Sequence, residues 1–239
     1  MARHHLLGLV IFTVVPGITL AQDDDGFGEE EYRYNFSERK VEAGLDVGSA
    51  VLLGTSTKSF LSGATVTPYM DFSFGDGNSL DFQVTLGYHP FDEDNAQYYF
   101  FRSPVVDGTT AEGELVYAIP QLTFRYESDL TSSLASRGRV FYWAGIGAGP
   151  AFVSSAAKLE NAGTLGTVEY EHADTTETFL TIVPAAGLRF RLGEFFFLNL
   201  GARLDWLVQF GQPEVAQEGD LPGFKIVEGT VGISYEIGG

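Results

Sequence analysis

The chain contains no cysteine, which excludes disulfide bonds and every mechanism that needs a thiolate. Basic residues are also scarce, since 14 lysines and arginines stand against 32 aspartates and glutamates and leave a net charge of −18. Contact with nucleic-acid phosphates needs a basic face, so we expect no nucleic-acid partner. These two deficits remove thiol chemistry and nucleic-acid binding from the possible functions.

Long apolar runs are missing as well. The run at residues 6–15 is too short to cross a membrane as a helix, and no other stretch is apolar enough to do so. Residues 1–21 instead have the order of a secretory signal peptide, with a basic start at Arg3, the apolar run, and a small-residue site that ends at Ala21. We predict export with cleavage after Ala21. Any part of the mature chain that crosses a lipid layer must then be a strand.

The mature chain begins with an acidic segment and continues with an alternating one. Residues 22–38 show no periodicity, which predicts a solvated N-terminal tail. Within residues 39–239, the clearest pattern is at residues 195–210, where apolar side chains fall on one side and polar or small ones on the other. At about 3.3 Å per residue, this strand is long enough to cross a bilayer at a tilt.

Seven further runs alternate in the same way, so we predict eight strands in all. The turn between the second and third is marked by residues 75–78, Gly-Asp-Gly-Asn, because these residue types tolerate positive φ. The predicted strands are residues 40–53, 64–74, 79–88, 114–127, 139–153, 179–191, 195–210 and 224–237.

The connections between these strands alternate in length. Those after the first, third, fifth and seventh strands are long, those after the second and sixth are tight, and that after the fourth is intermediate. Outer-membrane barrels have this asymmetry, with short periplasmic turns and longer outer loops. Residues 98–102 and 167–171, inside two of the long connections, are interpreted either as strand extensions above the membrane or as an additional strand pair.

Glycine indicates which face of the sheet points inward. Most strand glycines share the polar face, and the interior of an eight-stranded barrel is just wide enough for a mixture of very small and large side chains. The bulky apolar face must then point outward, where only lipid can cover it. Aromatic residues near both ends of that face predict two interfacial girdles. The girdle residues are Phe72, Phe74, Phe82, Phe124, Tyr126, Tyr142, Phe190, Phe196, Trp206, Phe210 and Tyr235.

The inward face also carries charges of both signs. Unpaired buried charges are costly, so charges on one narrow concave surface are expected to pair. We predict a salt-bridge network that plugs the lumen, with a gated conduction path as the alternative interpretation. The predicted lumen charge network is Glu42, Asp46, Asp71, Asp81, Arg125, Arg139, Arg189, Arg191, Arg203, Asp205, Glu228 and Glu236.

Residues suited to catalysis are few. His89 lies at a strand end beside Pro90, His172 lies in a predicted loop, and neither stands in a His-x-Ser sequence. Residues 92–94, Asp-Glu-Asp, have the chemistry of a divalent-cation site, although a solvated acidic loop is the preferred interpretation. No nucleotide or zinc motif is present. We predict no catalytic residue, no cofactor and no metal site.

With a signal segment, eight alternating runs and these loops, residues 39–239 resemble the small outer-membrane β-barrel superfamily, the outer-membrane protein A-type transmembrane domain and its relatives. The motifs that carry the resemblance are architectural, such as Gly-x-Gly-x-Gly-Pro at residues 145–150. The resemblance implies an all-β fold, an eight-stranded antiparallel up-and-down transmembrane β-barrel. It also implies a monomer in the outer membrane of a Gram-negative bacterium, inserted by the barrel-assembly machinery among lipid and lipopolysaccharide.

The leading functional hypothesis is a non-enzymatic barrel that presents acidic extracellular loops for a structural, adhesion or binding role. A narrow porin-like channel for small solutes is the second hypothesis, and a lipid-modifying barrel enzyme is the third.

Overall fold

The computed structural model describes residues 40–54, 56–95, 109–130, 139–162, 168–209 and 223–237. The predicted signal peptide, the acidic tail and residues 98–102 lie outside this part of the chain. Eight strands form one sheet that closes on itself in chain order, and every neighbouring pair is antiparallel. The strands are β1 (Val41–Leu53), β2 (Gly63–Gly75), β3 (Asn78–Pro90), β4 (Thr109–Asp129), β5 (Val140–Ala162), β6 (Val168–Arg191), β7 (Phe196–Gln209) and β8 (Lys225–Ile237).

The predicted eight-stranded antiparallel up-and-down barrel is confirmed, because β1 pairs with both β2 and β8 and closes the sheet. Successive strand residues point to opposite faces, so the alternating sequence separates an inward row from an outward one. In β3, Asp81 and Thr85 are buried, whereas Phe82 and Leu86 are exposed to 52% and 50%. Within the described residues, no helix is long and apolar enough to cross a membrane.

The turn between β2 and β3 has the predicted chemistry. Gly75, Asp76 and Gly77 have φ values of 107°, 53° and 75°, in the left-handed region that glycine and aspartate tolerate. The Gly77 carbonyl accepts a hydrogen bond of 2.7 Å from the backbone N–H of Glu127 on β4. The turn therefore holds the register of β2 and β3 and also meets the next strand.

Inward glycines make room for aromatic rings. The indole of Trp143 lies over Gly187, where an added Cβ would be 2.7 Å from ring atoms, and the ring of Tyr117 covers Gly87. At the outward Gly229, by contrast, no atom lies within 4 Å of such a Cβ. The lumen is thus filled by large side chains packed on very small ones, as expected for a narrow barrel.

Three strands extend beyond the closed part of the barrel, which we call the wall, at the end that carries the longer connections. β4, β5 and β6 have 21, 23 and 24 residues, whereas the other strands have 13 or 14. Pairing extends to Thr109 with Asn161 and to Ala162 with Val168, but the β6–β7 ladder already ends where Phe179 pairs with Gln209. We call residues 109–113, 156–162 and 168–178 the loop-end extension.

The extension corrects two predictions. Residues 154–162 and 168–178, predicted as part of a long loop, are strand, and only residues 163–167 connect β5 to β6. β4 likewise begins at Thr109 rather than at residue 114. Above the wall neither face of a sheet has to be apolar, so alternation no longer marks the strand. For residues 168–171, the interpretation as a strand extension is confirmed.

The first two loop-end connections add small covering elements. Two 3-10 helices, Ser56–Ser59 and Glu93–Asn95, flank a β-bridge between Phe60 and Phe91. The rings of these two phenylalanines meet edge to face at 5.4 Å, and both are buried. They belong to an apolar cluster that fills the loop end of the lumen.

Candidate functional site: the lumen and its loop end

The turn-side half of the lumen holds an ionic group built around two arginines. Arg189 of β6 binds Glu42 of β1, and its Nη1 lies 3.1 Å from a carboxylate oxygen of Glu127 on β4. Arg125, also on β4, donates from Nη2 to Glu127 at 2.8 Å. The two ion pairs of Arg189 tie together strands that are not neighbours in the sheet.

Arg125 also neutralises two aspartates that face each other across β2 and β3. Its Nη1 is 3.6 Å from Asp71 and 3.8 Å from Asp81, and the guanidinium stacks 4.7 Å from the ring centre of Trp143. Ser79 donates a further hydrogen bond to Asp71 at 3.0 Å. Like charges directly opposite on two strands are destabilising, so this pairing requires the arginine.

A second ionic group lies nearer the loop end. Arg203 of β7 binds Asp205 of the same strand at 3.1 Å and Glu228 of β8 at 3.0 Å. The hydroxyl of Tyr117 on β4 donates to Glu228 at 3.0 Å. Asp205 and Glu228 are completely buried, so Arg203 is the counter-charge that both of them need.

Eight of the twelve residues of the predicted charge network therefore lie in these two groups. Arg139 and Arg191 belong to neither, although their inward parity places them in the predicted network. Arg139 is exposed, and Arg191 donates to the carbonyl oxygens of Gly193 and Glu194 at 3.0 Å each, because both arginines stand at the rim where the strands end. The turn-side group contains Glu42, Asp71, Asp81, Arg125 and Arg189. The loop-side group contains Arg203, Asp205 and Glu228. Glu236 pairs with Lys40 at 2.9 Å, and Asp46 lines the cavity between the two groups.

The predicted network lacks three polar residues of the turn-side group. Glu127 accepts hydrogen bonds from Arg125 and Arg189. Tyr69 donates to Glu42 at 3.4 Å, and Asn199 donates to the Tyr69 hydroxyl at 2.8 Å. Glu127 has the same parity as Arg125 two residues earlier. Including the next inward residue of β4 after Arg125 would have added Glu127 to the predicted network.

The loop-side end of the lumen is apolar, which the sequence interpretation does not anticipate. Five large inward side chains from four strands are buried to within 1% and pack in one cluster with the rings of Phe60, Phe91 and Phe224. Both faces of the sheet are apolar at this level, which hides the alternation. The five side chains, which we call the apolar layer, are Leu115, Ile119, Phe179, Leu207 and Ile226.

His89 is buried at the edge of this apolar layer. Its ring stacks on Tyr117 at 5.8 Å, and Nδ1 lies 2.9 Å from the carbonyl oxygen of Leu61. The side chain of His172 lies outside the described part of the structure. At residues 92–94, Asp92 accepts hydrogen bonds from Asn95 at 2.7 Å and from the Asp94 backbone at 3.2 Å. Among the described residues, no group of three histidines or carboxylates is arranged to hold a metal ion.

The outward aromatic residues gather at the two ends of the wall. At the turn end, the rings of Phe196 and Tyr235 lie 5.0 Å apart, and those of Phe74 and Phe124 lie 6.2 Å apart. At the loop end, the ammonium of Lys225 lies 5.1 Å from the ring centre of Trp206. Phe72, Phe74, Phe82, Phe124, Tyr126, Tyr142, Phe196, Trp206 and Tyr235 are at least 40% exposed, Phe190 is half-buried, and Phe210 lies outside the described residues.

Comparison with known proteins finds likeness at the level of structure only. No protein-family model and no curated protein matches the sequence. Neisserial surface protein A is 12% identical over 83% of this chain and 97% of its own, with a TM-score of 0.46. A major outer membrane protein from Thermus thermophilus is 12% identical over 82% of this chain and 99% of its own, with a TM-score of 0.46. Ail, the attachment invasion locus protein of Yersinia pestis, solved with the heparin analogue sucrose octasulfate, is 12% identical over 83% of this chain and 99% of its own, with a TM-score of 0.42.

Proposed function

We propose that the protein is a non-enzymatic barrel of the outer membrane of a Gram-negative bacterium, with a closed lumen and an acidic loop end that binds a partner outside the cell. The proposal includes cleavage after Ala21, insertion by the barrel-assembly machinery among lipid and lipopolysaccharide, and a monomeric state. The observation that carries it is the loop-end extension, a hydrogen-bonded sheet that a closed transmembrane wall does not need.

The outer wall supports a membrane location. Along β8, the outward residues from Val227 to Ile237 carry no charge, and at a tilt of about 40° they span about 25 Å along the barrel axis. Lys225 is the only charged residue among the described outward side chains of the wall below Glu114 and the extension. Such a belt would aggregate in water, whereas acyl chains would cover it.

The lumen supports a role as scaffold rather than pore. The apolar layer packs at the loop end, the two ionic groups occupy the middle and the turn side, and a cavity of about 40 Å³ lies between these groups. Ion pairs such as that between Arg189 and Glu42 join strands across the barrel, so they stiffen the wall that carries the extension. The function then has to be sought on the surface of the barrel.

The loop end has the charge for a cationic partner. Glu112 in the extension and Glu114 at its base are exposed, and residues 210–224 contain acidic residues but no lysine or arginine. Complementary charge raises the rate of encounter and is weakened by salt. We therefore expect the partner to present a basic protein or peptide surface.

Binding of poly-L-lysine to the purified protein in zwitterionic lipid nanodiscs tests the proposal. One variant replaces residues 157–173 with Asn-Gly, which joins Ala156 to Asp174, two residues that already pair in register. We expect this variant to fold, as shown by heat-modifiable migration on a gel, and to bind poly-L-lysine several-fold more weakly at low salt. The control is Glu194→Gln in the turn between β6 and β7, which removes one negative charge from the other end of the barrel. Equal binding by all three proteins would reject the loop-end extension as the binding surface.

The two other functions have separate readouts. Steady openings of the wild-type protein in planar bilayers would support a solute channel instead. An altered lipid A profile after deletion of the gene would support a lipid-modifying enzyme.

A further inference from the structure

The loop-end extension has one long outer side. β4 continues by only residues 109–113 beyond its last pair with β3. β6 continues by residues 168–178 beyond its last pair with β7, between Phe179 and Gln209. Among the residues that the structure describes, no strand pairs with the outer side of this segment. We call it the β6 edge, and at about 3.3 Å per residue it is about 35 Å long.

The backbone polar groups of alternate residues point outward along the β6 edge. In an antiparallel sheet, successive residues of a strand bond to neighbours on opposite sides. The N–H of Arg191 donates to the carbonyl oxygen of Arg139, next to β5, and the N–H of Leu192 donates to Phe196 of β7, at 2.9 Å each. The register of β5 with β6 is then continuous to Val168. The N–H and C=O groups of the even-numbered residues from 168 to 176 therefore face away from β5.

The β6 edge has none of the three devices that commonly prevent another strand from adding to a sheet. Natural edge strands are protected by proline, by lysine or by a β-bulge. Residues 168–178 contain no proline and no lysine, and the β5–β6 pairing shows no shift of register. About half of the segment consists of residue types that favour strands, namely Val168, Tyr170, Thr175, Thr176 and Thr178. The segment is thus a regular strand with an outer side suited to pairing.

The charge of the β6 edge selects the kind of strand that can pair with it. Residues 168–178 contain Glu169, Glu171, Asp174 and Glu177 but no lysine or arginine. Opposite charges on neighbouring strands stabilise their pairing, and like charges weaken it. A second copy of this segment would bring acidic residues against acidic residues. A strand with several basic residues would instead be attracted.

We propose that the β6 edge binds an extended basic peptide segment, which adds to the sheet as one more strand. This inference rests on the proposed function and names how its basic partner is held. Backbone hydrogen bonds to the even-numbered residues would give the affinity, as in other cases of strand addition. The acidic residues would give the preference for a basic sequence.

The test uses the peptide acetyl-(Lys-Thr)5-amide and the purified protein in zwitterionic lipid nanodiscs at low salt. At saturating peptide, we expect hydrogen exchange to slow tenfold or more at the amides of Tyr170, Asp174 and Thr176, because these N–H groups would enter a new ladder. The amides of the odd-numbered residues between them should change little, since they already face β5. Exchange followed by NMR measures both sets.

A double variant, His172→Pro with Thr176→Pro, removes two outward N–H groups and keeps every acidic residue. Proline is tolerated in a strand where the N–H faces away from the sheet, so we expect this variant to fold, as shown by heat-modifiable migration on a gel. It should bind the peptide at least fivefold more weakly than the wild type. The matched control is Ala111→Pro on the outer side of β4, two residues before Gly113, whose carbonyl also faces away from β5. Its binding should equal that of the wild type.

Different results would overturn this inference and the proposed function. Equal binding by all three proteins, or unchanged exchange at the even-numbered amides of the wild type, would overturn strand addition, while the charge-based function would stand. Slow exchange at these amides in a dimer without peptide would assign the β6 edge to a second copy. A wild-type protein that binds neither this peptide nor poly-L-lysine would overturn both. If the double variant did not fold, the exchange pattern of the wild type would decide.

Discussion

Arg189 shows how a single residue holds this barrel together. It reaches from β6 to Glu42 of β1 and Glu127 of β4, and its guanidinium lies 3.6 Å from the ring centre of Phe197. The arginine and both acids are nearly completely buried. Losing one partner of such a group leaves uncompensated charge in a low-dielectric lumen.

We therefore predict that Arg189→Ala lowers the free energy of unfolding by about 3–5 kcal/mol. Arg189→Met combined with Glu127→Gln should recover part of this loss, since the pair of changes removes opposite charges together. Urea titration in lipid vesicles, followed by tryptophan fluorescence, measures both effects.

The control is Arg139→Ala, because Arg139 is exposed at the turn-side rim. Its effect should stay within about 0.5 kcal/mol. Equal losses for Arg139→Ala and Arg189→Ala would contradict the assignment of Arg189 to a structural ionic group.

Among the elements, the β2–β3 hairpin shows a clear dependence on local sequence. Gly77 has a φ of 75°, and a Cβ at this position would run into the carbonyl oxygen of Glu127. Glycine is therefore favoured at this position for two reasons, the positive φ and the close approach of the β4 backbone. The same turn contacts β4, so a change here reaches a third strand.

We predict that Gly77→Ala lowers the free energy of unfolding by about 1–3 kcal/mol, because alanine disfavours positive φ and its methyl group has to displace the β4 backbone. Gly193→Ala, in the turn between β6 and β7, is the matched control, since no atom lies within 4 Å of its added Cβ. It should change stability by less than about 0.5 kcal/mol. Denaturant midpoints of the two variants, compared at equal slopes, decide the outcome.

For the whole molecule, the important property is that different chemistry occupies the lumen at different levels. The apolar layer and its covering phenylalanines pack at the loop end, and the arginine groups lie in the middle and on the turn side. Tyr117 joins two of these levels, because it belongs to the apolar cluster and donates to Glu228 of the loop-side ionic group. Opening one of them should leave a barrel that still does not conduct.

We predict that the double variant Phe179→Ala with Leu207→Ala gives no steady conductance in planar bilayers, like the wild type. Both side chains belong to the apolar layer, and neither is a member of an ionic group. Single-channel recording at several voltages is the measurement. Steady openings in the double variant but not in the wild type would assign the seal to the apolar layer alone.

Much of this architecture could be predicted from alternation along the chain. Residues 195–210 already indicate a strand with one apolar side, and Gly-Asp-Gly-Asn at 75–78 indicates the tight turn between β2 and β3. Eight such strands predict a closed barrel, because each strand has one apolar face and a closed sheet places all eight apolar faces on the same side. Strand number and inward parity therefore follow from local pattern.

Which inward residues contact each other depends on the tertiary structure alone. Partners such as Glu42 and Arg189 are far apart in sequence and are brought together when the barrel closes. The same is true of the apolar layer, whose members lie where both faces of the sheet are apolar and the period disappears. Arg139 and Arg191 have inward parity but fall at the rim, since parity sets a direction and not a depth. The direction of a side chain is a local property of a strand, whereas its depth and its partners depend on how eight strands are staggered around one axis.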